Sequence, residues 1–212
     1  MNFKTLLSKL PVQLICVQSN TVFESAVFLF PAEKNQLENI SSEKRKREFL
    51  GARYLRNQLR INSIIGYKES GKPYLISDSA SGISISHTSE FIAFGLAPFE
   101  IGIDLEKPQE RIHQIINKFA DEHEKNLYQF SEYSKTEWLT FIWCAKEAIY
   151  KLGGQKGIAF KEEMKLLSIE EIEPNYMKIE GVYLLGRPEE RKVDIYCLKD
   201  NDLLFALARF KD

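Results

Sequence analysis

The segment 135–152 constrains the fold more than any other part of the chain. Ser134 and Glu137 have the spacing of a capping box at its start, and Gly153-Gly154 stops it. Trp138, Ile142, Ala145, Ile149 and Leu152 make one apolar stripe, widened by Trp143 and Tyr150. A helix apolar over most of its circumference is contacted on more than one side, so it belongs at the centre of a core. Glu147 and Lys151 lie off the main stripe, one turn apart. As a surface ion pair they would contribute only about 0.3–0.5 kcal/mol, and a central helix argues against that bland explanation.

A second feature is Ile101-Gly102-Ile103-Asp104-Leu105-Glu106, which alternates like a strand. Asp104 and Glu106 then share one face, about 6.6 Å apart along the chain, while Ile101, Ile103 and Leu105 take a buried face. Two like charges on one face of a half-buried strand are unfavourable unless something positive lies between them. A solvated acidic edge and a cation site both remain open from this stretch alone.

The third feature is basic. Ser41 or Ser42 caps a helix running to about Leu59, with Lys44-Arg45-Lys46-Arg47 at a start where the helix dipole favours negative charge. Arg53, Arg56 and Arg60 form a ridge between two apolar arcs, one of Phe49, Ala52, Leu55 and Leu59, the other of Leu50 and Tyr54. Such a ridge calls for anions, although a plain basic surface helix is the competing explanation.

Elsewhere, 12–17, 22–30, 83–86, 91–97, 157–160, 176–185, 192–198 and 203–210 read as strands, with 199–202 a hairpin turn. Residues 112–119 and 121–130 read as short helices. Ser70-Gly71-Lys72-Pro73-Tyr74 is a turn leading into an extended segment. His87 closes the strand at 83–86, and the first half of the molecule ends near residue 98. Each half holds helices and antiparallel strands, so the expectation is an α+β architecture with subdomains 1–98 and 99–212.

At 212 residues, 44% apolar and 28% charged, the chain describes an ordinary globular protein. No apolar run is long enough for a membrane span, and Met1 to Leu10 lacks the pattern of a signal peptide. Cys16, Cys144 and Cys197 are odd in number and widely spaced, which suits reduced thiols in a cytoplasm. A net charge of −1 predicts no bulk attraction to nucleic acid, so any anion site is a local basic cluster.

The polar outliers form two sets. Asp104, Glu106 and Glu147 are acids of the type that hold Mg²⁺ (or Mn²⁺) together with phosphate oxygens. Lys44, Arg47, Arg53, Lys72, His87 and Lys151 suit a ligand with more than one phosphate. Zinc is disfavoured because no His/Cys cluster has ligand spacing, and neither a P-loop nor a dinucleotide fingerprint is present. The residues thus point to a Mg²⁺-dependent enzyme acting on a polyphosphorylated cofactor or nucleotide.

Ser86-His87, Gly102 to Glu106, and Trp143-Cys144-Ala145-Lys146-Glu147-Ala148-Ile149-Tyr150-Lys151 resemble the three motifs of the 4′-phosphopantetheinyl transferases. Gly71-Lys72-Pro73 and the stretch from Lys44 to Arg53 precede them in the same order, so the likeness spans roughly 41–160. The length is similar to the monomeric surfactin-synthetase-activating branch, whose two similar α/β subdomains are related by a pseudo-twofold axis. The resemblance implies transfer of the 4′-phosphopantetheine arm of coenzyme A to a serine of an acyl or peptidyl carrier protein, releasing 3′,5′-ADP. It implies that Asp104, Glu106 and Glu147 hold Mg²⁺, with Glu147, Asp104 and Lys151 catalytic. Lys151, His87 and Ser86 would then meet phosphate oxygens. Lys44, Arg47 and Arg53 would surround the 3′-phosphate, with Lys72 near the adenosine. Glu124 stands where the family often carries an acid. Ser84, Thr88 and Cys144 depart from the residues usual at their positions. A non-catalytic module binding coenzyme A or a carrier protein, and a Mg²⁺-dependent pyrophosphate hydrolase, are the alternatives.

Overall fold

The computed structural model describes residues 10–211 except 22, 24–26, 79–80, 128–132 and 185–189. In chain order the elements begin with β1 (Gln13–Gln18), α1 (Pro31–Glu38), α2 (Glu43–Gln58), β2 (Ile65–Tyr67) and β3 (Pro73–Leu75). β4 (Gly82–His87), β5 (Phe91–Ala97) and β6 (Ile101–Glu106) follow. Next come α3 (Ile112–Ile115), a 3₁₀ turn (Ile116–Lys118), α4 (Glu122–Asn126) and α5 (Lys135–Gly153). The chain closes with α6 (Phe160–Glu163), β7 (Met164–Glu173), β8 (Tyr176–Leu184), β9 (Glu190–Asp200) and β10 (Leu203–Phe210). The mixed α+β class expected from the sequence is what forms. No helix among the described residues is long and apolar enough to cross a membrane.

Two antiparallel sheets face each other. One is three-stranded, β1-β5-β4, and the other five-stranded, β6-β10-β9-β8-β7; β2 and β3 form a separate hairpin. Ile101, Ile103 and Leu105 point into a core shared by both sheets, where they meet Val12, Leu14, Ala93 and Ala97. α2 buries Leu50, Ala52 and Leu55 on the far side of the three-stranded sheet, against Ile83, Ile92 and Phe94. α5 buries its apolar stripe on the far side of the five-stranded sheet. The layers therefore run helix, sheet, sheet, helix.

α5 forms as its sequence dictates. Ser134 Oγ accepts from the Glu137 N–H at 3.2 Å, and the Glu137 carboxylate accepts from the Ser134 N–H at 2.7 Å. Gly154 ends the helix in the left-handed region, φ 62°. Its approach to the sheet is set by Gly102: a Cβ there would overlap the backbone carbonyl of Ala148 and lie 2.5 Å from the Leu152 nitrogen. The strand residues paired with Gly102 and Asp104 are Ala208 and Ala206, so the sheet under the helix is lined by small side chains.

Two strand expectations need correction. The expected strand over 22–30 is absent from its described residues: 27–30 have no regular structure and lead into α1, while 22 and 24–26 lie outside the described residues. α1 escapes the apolar periodicity because what anchors it is a buried ion pair at Glu33 rather than an apolar face. Residues 157–160 are not a strand; Phe160 opens α6, and the strand begins at Met164. β7 was missed because it is an edge strand, largely exposed, whose alternation breaks at two register shifts. The expected helix over 121–130 is described only as far as Asn126, with 128–130 outside the described residues, as are Leu185 and residues 1–9.

Candidate active site

The seam where β4, β6 and α5 meet gathers the polar groups. Ser84 Oγ accepts from the Ile103 N–H at 2.9 Å, tying β4 alongside β6. Two residues on, Ser86 Oγ donates to Asp104 Oδ1 at 2.8 Å. Lys151 comes down from α5 and places Nζ 2.7 Å from Asp104 Oδ1 and 2.9 Å from Ser86 Oγ. Lys151 thus pairs across the seam with Asp104, in keeping with the central helix that argues against a surface pair along its own turns. Asp104 Oδ2 is buried and has no hydrogen-bond partner among the described residues. A buried carboxylate oxygen left unpaired is costly, and its natural complement is a cation.

Glu147 and Glu106 complete the acid set. Burial, then the Asp104 carboxylate, pushes the Glu147 carboxyl up to about 7, against the opposing pull of Lys151. Glu106 is raised by the same two causes in the same order, and the Trp143 indole, which donates to its Oε1 at 3.1 Å, opposes them. The acids therefore sense one another, with Lys151 opposing at both glutamates and Arg111 at Glu106. No three His, Cys, Asp or Glu side chains among the described residues are drawn together at metal-binding spacing. The donor chemistry nonetheless fits a hard divalent cation: oxygen ligands only, one of them orphaned, with mutual repulsion that such an ion would relieve.

Beside the seam runs a groove of about 690 Å³ between the first turns of α2, the β2–β3 hairpin and β4, lined by Arg45, Phe49, Tyr67 and His87. It shares Gly71, Pro73 and Ile85 with a depression that reaches Lys151 and Tyr150. This volume lies in the range of cofactor sites. His87 Nδ1 is 3.3 Å from Glu48. Burial lowers the imidazole's pKa, Glu48 opposes that shift, and Lys151 and Lys44 reinforce it.

The sequence profile of the 4′-phosphopantetheinyl transferase superfamily matches residues 100–208, just over half of the 212-residue chain. The chain belongs to this superfamily. No protein in a search of curated proteins matches it. The transferase match contains Asp104, Glu106, Glu147 and Lys151, and it starts beyond Ser86, His87 and the basic residues of α2.

For a transferase of this superfamily the basic residues sort differently from the sequence expectation. Arg53 is not available to a phosphate: it is fully buried, with Nε 3.2 Å from Glu33, Nη1 on the Tyr67 hydroxyl and its guanidinium over the Phe49 ring. Its anion is internal because α1, which carries Glu33, packs against α2. Lys72 lies against α5, where Nζ donates to the Leu152 carbonyl at 2.6 Å and is 3.3 Å from Glu100. A cation is favourable at a helix C-terminus, and a Cβ at Gly154 would lie 2.7 Å from the Lys72 side chain. Burial lowers its pKa, with Glu100 opposing. Lys44 and Arg47 line a second depression with Thr88 and Ser89, which has Glu48 in common with the groove. Arg45, not singled out from the sequence, is the α2 cation that lines the groove. Its phase gives it away, because Arg45, Phe49 and Ala52 are one helical face. Glu124 is buried 2.7 Å from Lys146, away from the acid seam.

Proposed function

We propose that the protein transfers the 4′-phosphopantetheine arm of coenzyme A to a serine of an acyl or peptidyl carrier protein, with Mg²⁺ and release of 3′,5′-ADP. The observation that carries the proposal is the orphaned, buried Asp104 Oδ2 beside two carboxyls of raised pKa, inside the part of the chain that matches the superfamily. Asp104, Glu106 and Glu147 would hold Mg²⁺, or Mn²⁺ in its place, which when bound supplies charge neutralisation at the pyrophosphate.

The remaining chemistry belongs to the chain. The serine oxygen of the carrier forms a bond to the β-phosphorus of coenzyme A. The bond from that phosphorus to the bridging oxygen breaks, and the 3′,5′-ADP oxygen carries away the electron pair. Glu147 is the candidate base for the serine proton, directly or through a water; its pKa of about 7 is that of the ion-free site, and a bound cation lowers it and weakens the base. Lys151 is tied to Asp104 and Ser86 and presents its ammonium to the charge that develops on the phosphate oxygens. Arg45 lines the neighbouring groove, where a cation suits the remaining phosphates, and His87 lines it as a hydrogen-bonding imidazole. Lys44 and Arg47 remain proposed 3′-phosphate contacts. The proposal extends to two similar subdomains, 1–98 and 99–212, about a pseudo-twofold axis, in a cytoplasmic monomer of the surfactin-synthetase-activating type. One long helix on the outer face of each sheet and the free thiols of Cys16, Cys144 and Cys197 support it.

Glu147 gives a pH signature. Its folded pKa of about 7 lies above the ordinary 4.5, so the folded protein keeps a proton that the unfolded chain releases. Its contribution to stability therefore falls as pH rises from 4.5 to about 7. A divalent cation competes with that proton, so Mg²⁺ raises the melting temperature more at pH 8 than at pH 6. Equal shifts at both pH values contradict the assignment. The function itself is tested by chromatography of 3′,5′-ADP formed from coenzyme A. Release that requires an apo carrier supports transfer, whereas coenzyme A breakdown without any carrier is the result of a hydrolase.

A further inference from the structure

Trp143 lies one turn before Glu147 on α5, and its contact with Glu106 has an unusual foundation. The indole is held between two rings: Phe119 meets it edge-on with centroids 4.9 Å apart, and Phe160 stacks on it at 5.6 Å and 23°. Those rings come from distant parts of the chain, and one buried ammonium ties both down. Lys146 Nζ donates to the carbonyl of Phe119 at 2.5 Å and to the carbonyl of Phe160 at 3.1 Å. Its third partner is the Glu124 carboxylate, 2.7 Å away, so all of its donors are used. Both side chains of that pair are fully buried. Glu124 is fixed in turn by the backbone N–H groups of Asp121 and Leu166, each at 2.9 Å.

The clamp ends on a single hydrogen bond, from the indole N–H to Glu106 Oε1. We infer that Trp143 is a positioning residue, whose N–H fixes the Glu106 carboxylate as a cation ligand, and that the Lys146–Glu124 pair fixes the indole. The inference rests on the proposed divalent-ion chemistry and adds a residue to it. A carboxylate already oriented loses less freedom when it binds an ion, and partners that orient ligands typically contribute 10–100-fold in metal affinity. It also gives Glu124 a role that needs no contact with substrate.

The test uses Mn²⁺ as the probe, with its binding followed by electron paramagnetic resonance in the presence of coenzyme A. Trp143→Phe keeps an aromatic ring between Phe119 and Phe160 and removes the N–H donor, along with part of the indole's packing area. It is expected to weaken Mn²⁺ binding about 10–100-fold, with a modestly lower melting temperature from the smaller ring and with ion-free coenzyme A binding unchanged. In a Glu106→Gln background the same change is expected to add little, because its effect passes through that carboxylate. Wild-type Mn²⁺ affinity in Trp143→Phe overturns the inference, and so does an equal loss in both backgrounds. If the wild-type protein binds no Mn²⁺, the divalent-ion reading falls and the inference with it.

Discussion

Asp104→Asn is expected to lower phosphopantetheine transfer about 1,000-fold, the scale of removing one preorganised electrostatic group from a reaction centre, while the protein stays folded. The substitution keeps the shape and removes the charge. Lys151 loses its partner at 2.7 Å, and the orphaned Oδ2 that suits a cation is no longer part of a carboxylate. Stability changes little because two effects oppose each other. The lost pair with Lys151, a buried carboxylate against an ammonium 26% exposed, costs stability, and removal of the Asp104 charge relieves a repulsion that raises both Glu106 and Glu147. Glu147 should accordingly titrate lower in the variant, visible by carboxyl NMR. A folded Asp104→Asn protein with turnover within tenfold of wild type contradicts the site assignment.

Glu33→Gln is expected to be the most damaging single change to stability. One carboxylate serves two buried guanidiniums: Arg53 Nε at 3.2 Å and Arg56 Nη1 at 2.7 Å, with all three side chains fully buried. It also accepts from the backbone N–H of Phe30 at 3.2 Å and of Ile65 at 3.4 Å. Neutralising it leaves two arginines without a counter-charge and turns an amide N–H₂ against donors. Breaking a buried pair in this way costs about 3–5 kcal/mol, which for a chain of this size lowers the melting temperature on the order of 10 °C. The loss should appear in thermal and urea unfolding, with transfer retained in the fraction that stays folded at low temperature. A melting temperature within 2–3 °C of wild type, on the order of 1 kcal/mol, contradicts the structural role of the network.

The same residues show how far a sequence carries. α5 was legible because its signals are local: a capping box, a glycine stop and a wide apolar stripe. The alternation of β6 placed Asp104 and Glu106 on one face, and the i, i+4 spacing on α5 put Lys151 beside Glu147. Of the expected ridge of Arg53, Arg56 and Arg60, the first two do take an anion, while Arg60 lies exposed beyond the end of α2. That anion proved to be Glu33, 20 and 23 residues away, and no periodicity marks a contact at that distance. The bond from Lys72 to the Leu152 carbonyl is hidden for the same reason, since that carbonyl is 80 residues on. Lys146 sits inside a legible motif, yet its link to Phe119, Phe160 and Glu124 exists only once α4, α5 and α6 are packed. Local chemistry found the acids, and tertiary packing decided which cations face them.

Intact-mass spectrometry of an apo carrier protein incubated with this protein, coenzyme A and Mg²⁺ decides the matter. The proposed chemistry predicts a gain of one phosphopantetheine arm on a single serine, lost when EDTA replaces Mg²⁺ and lost with Asp104→Asn. Carriers from fatty-acid, polyketide and nonribosomal-peptide systems that all keep their apo mass, under conditions where the protein is folded and binds coenzyme A, would contradict it.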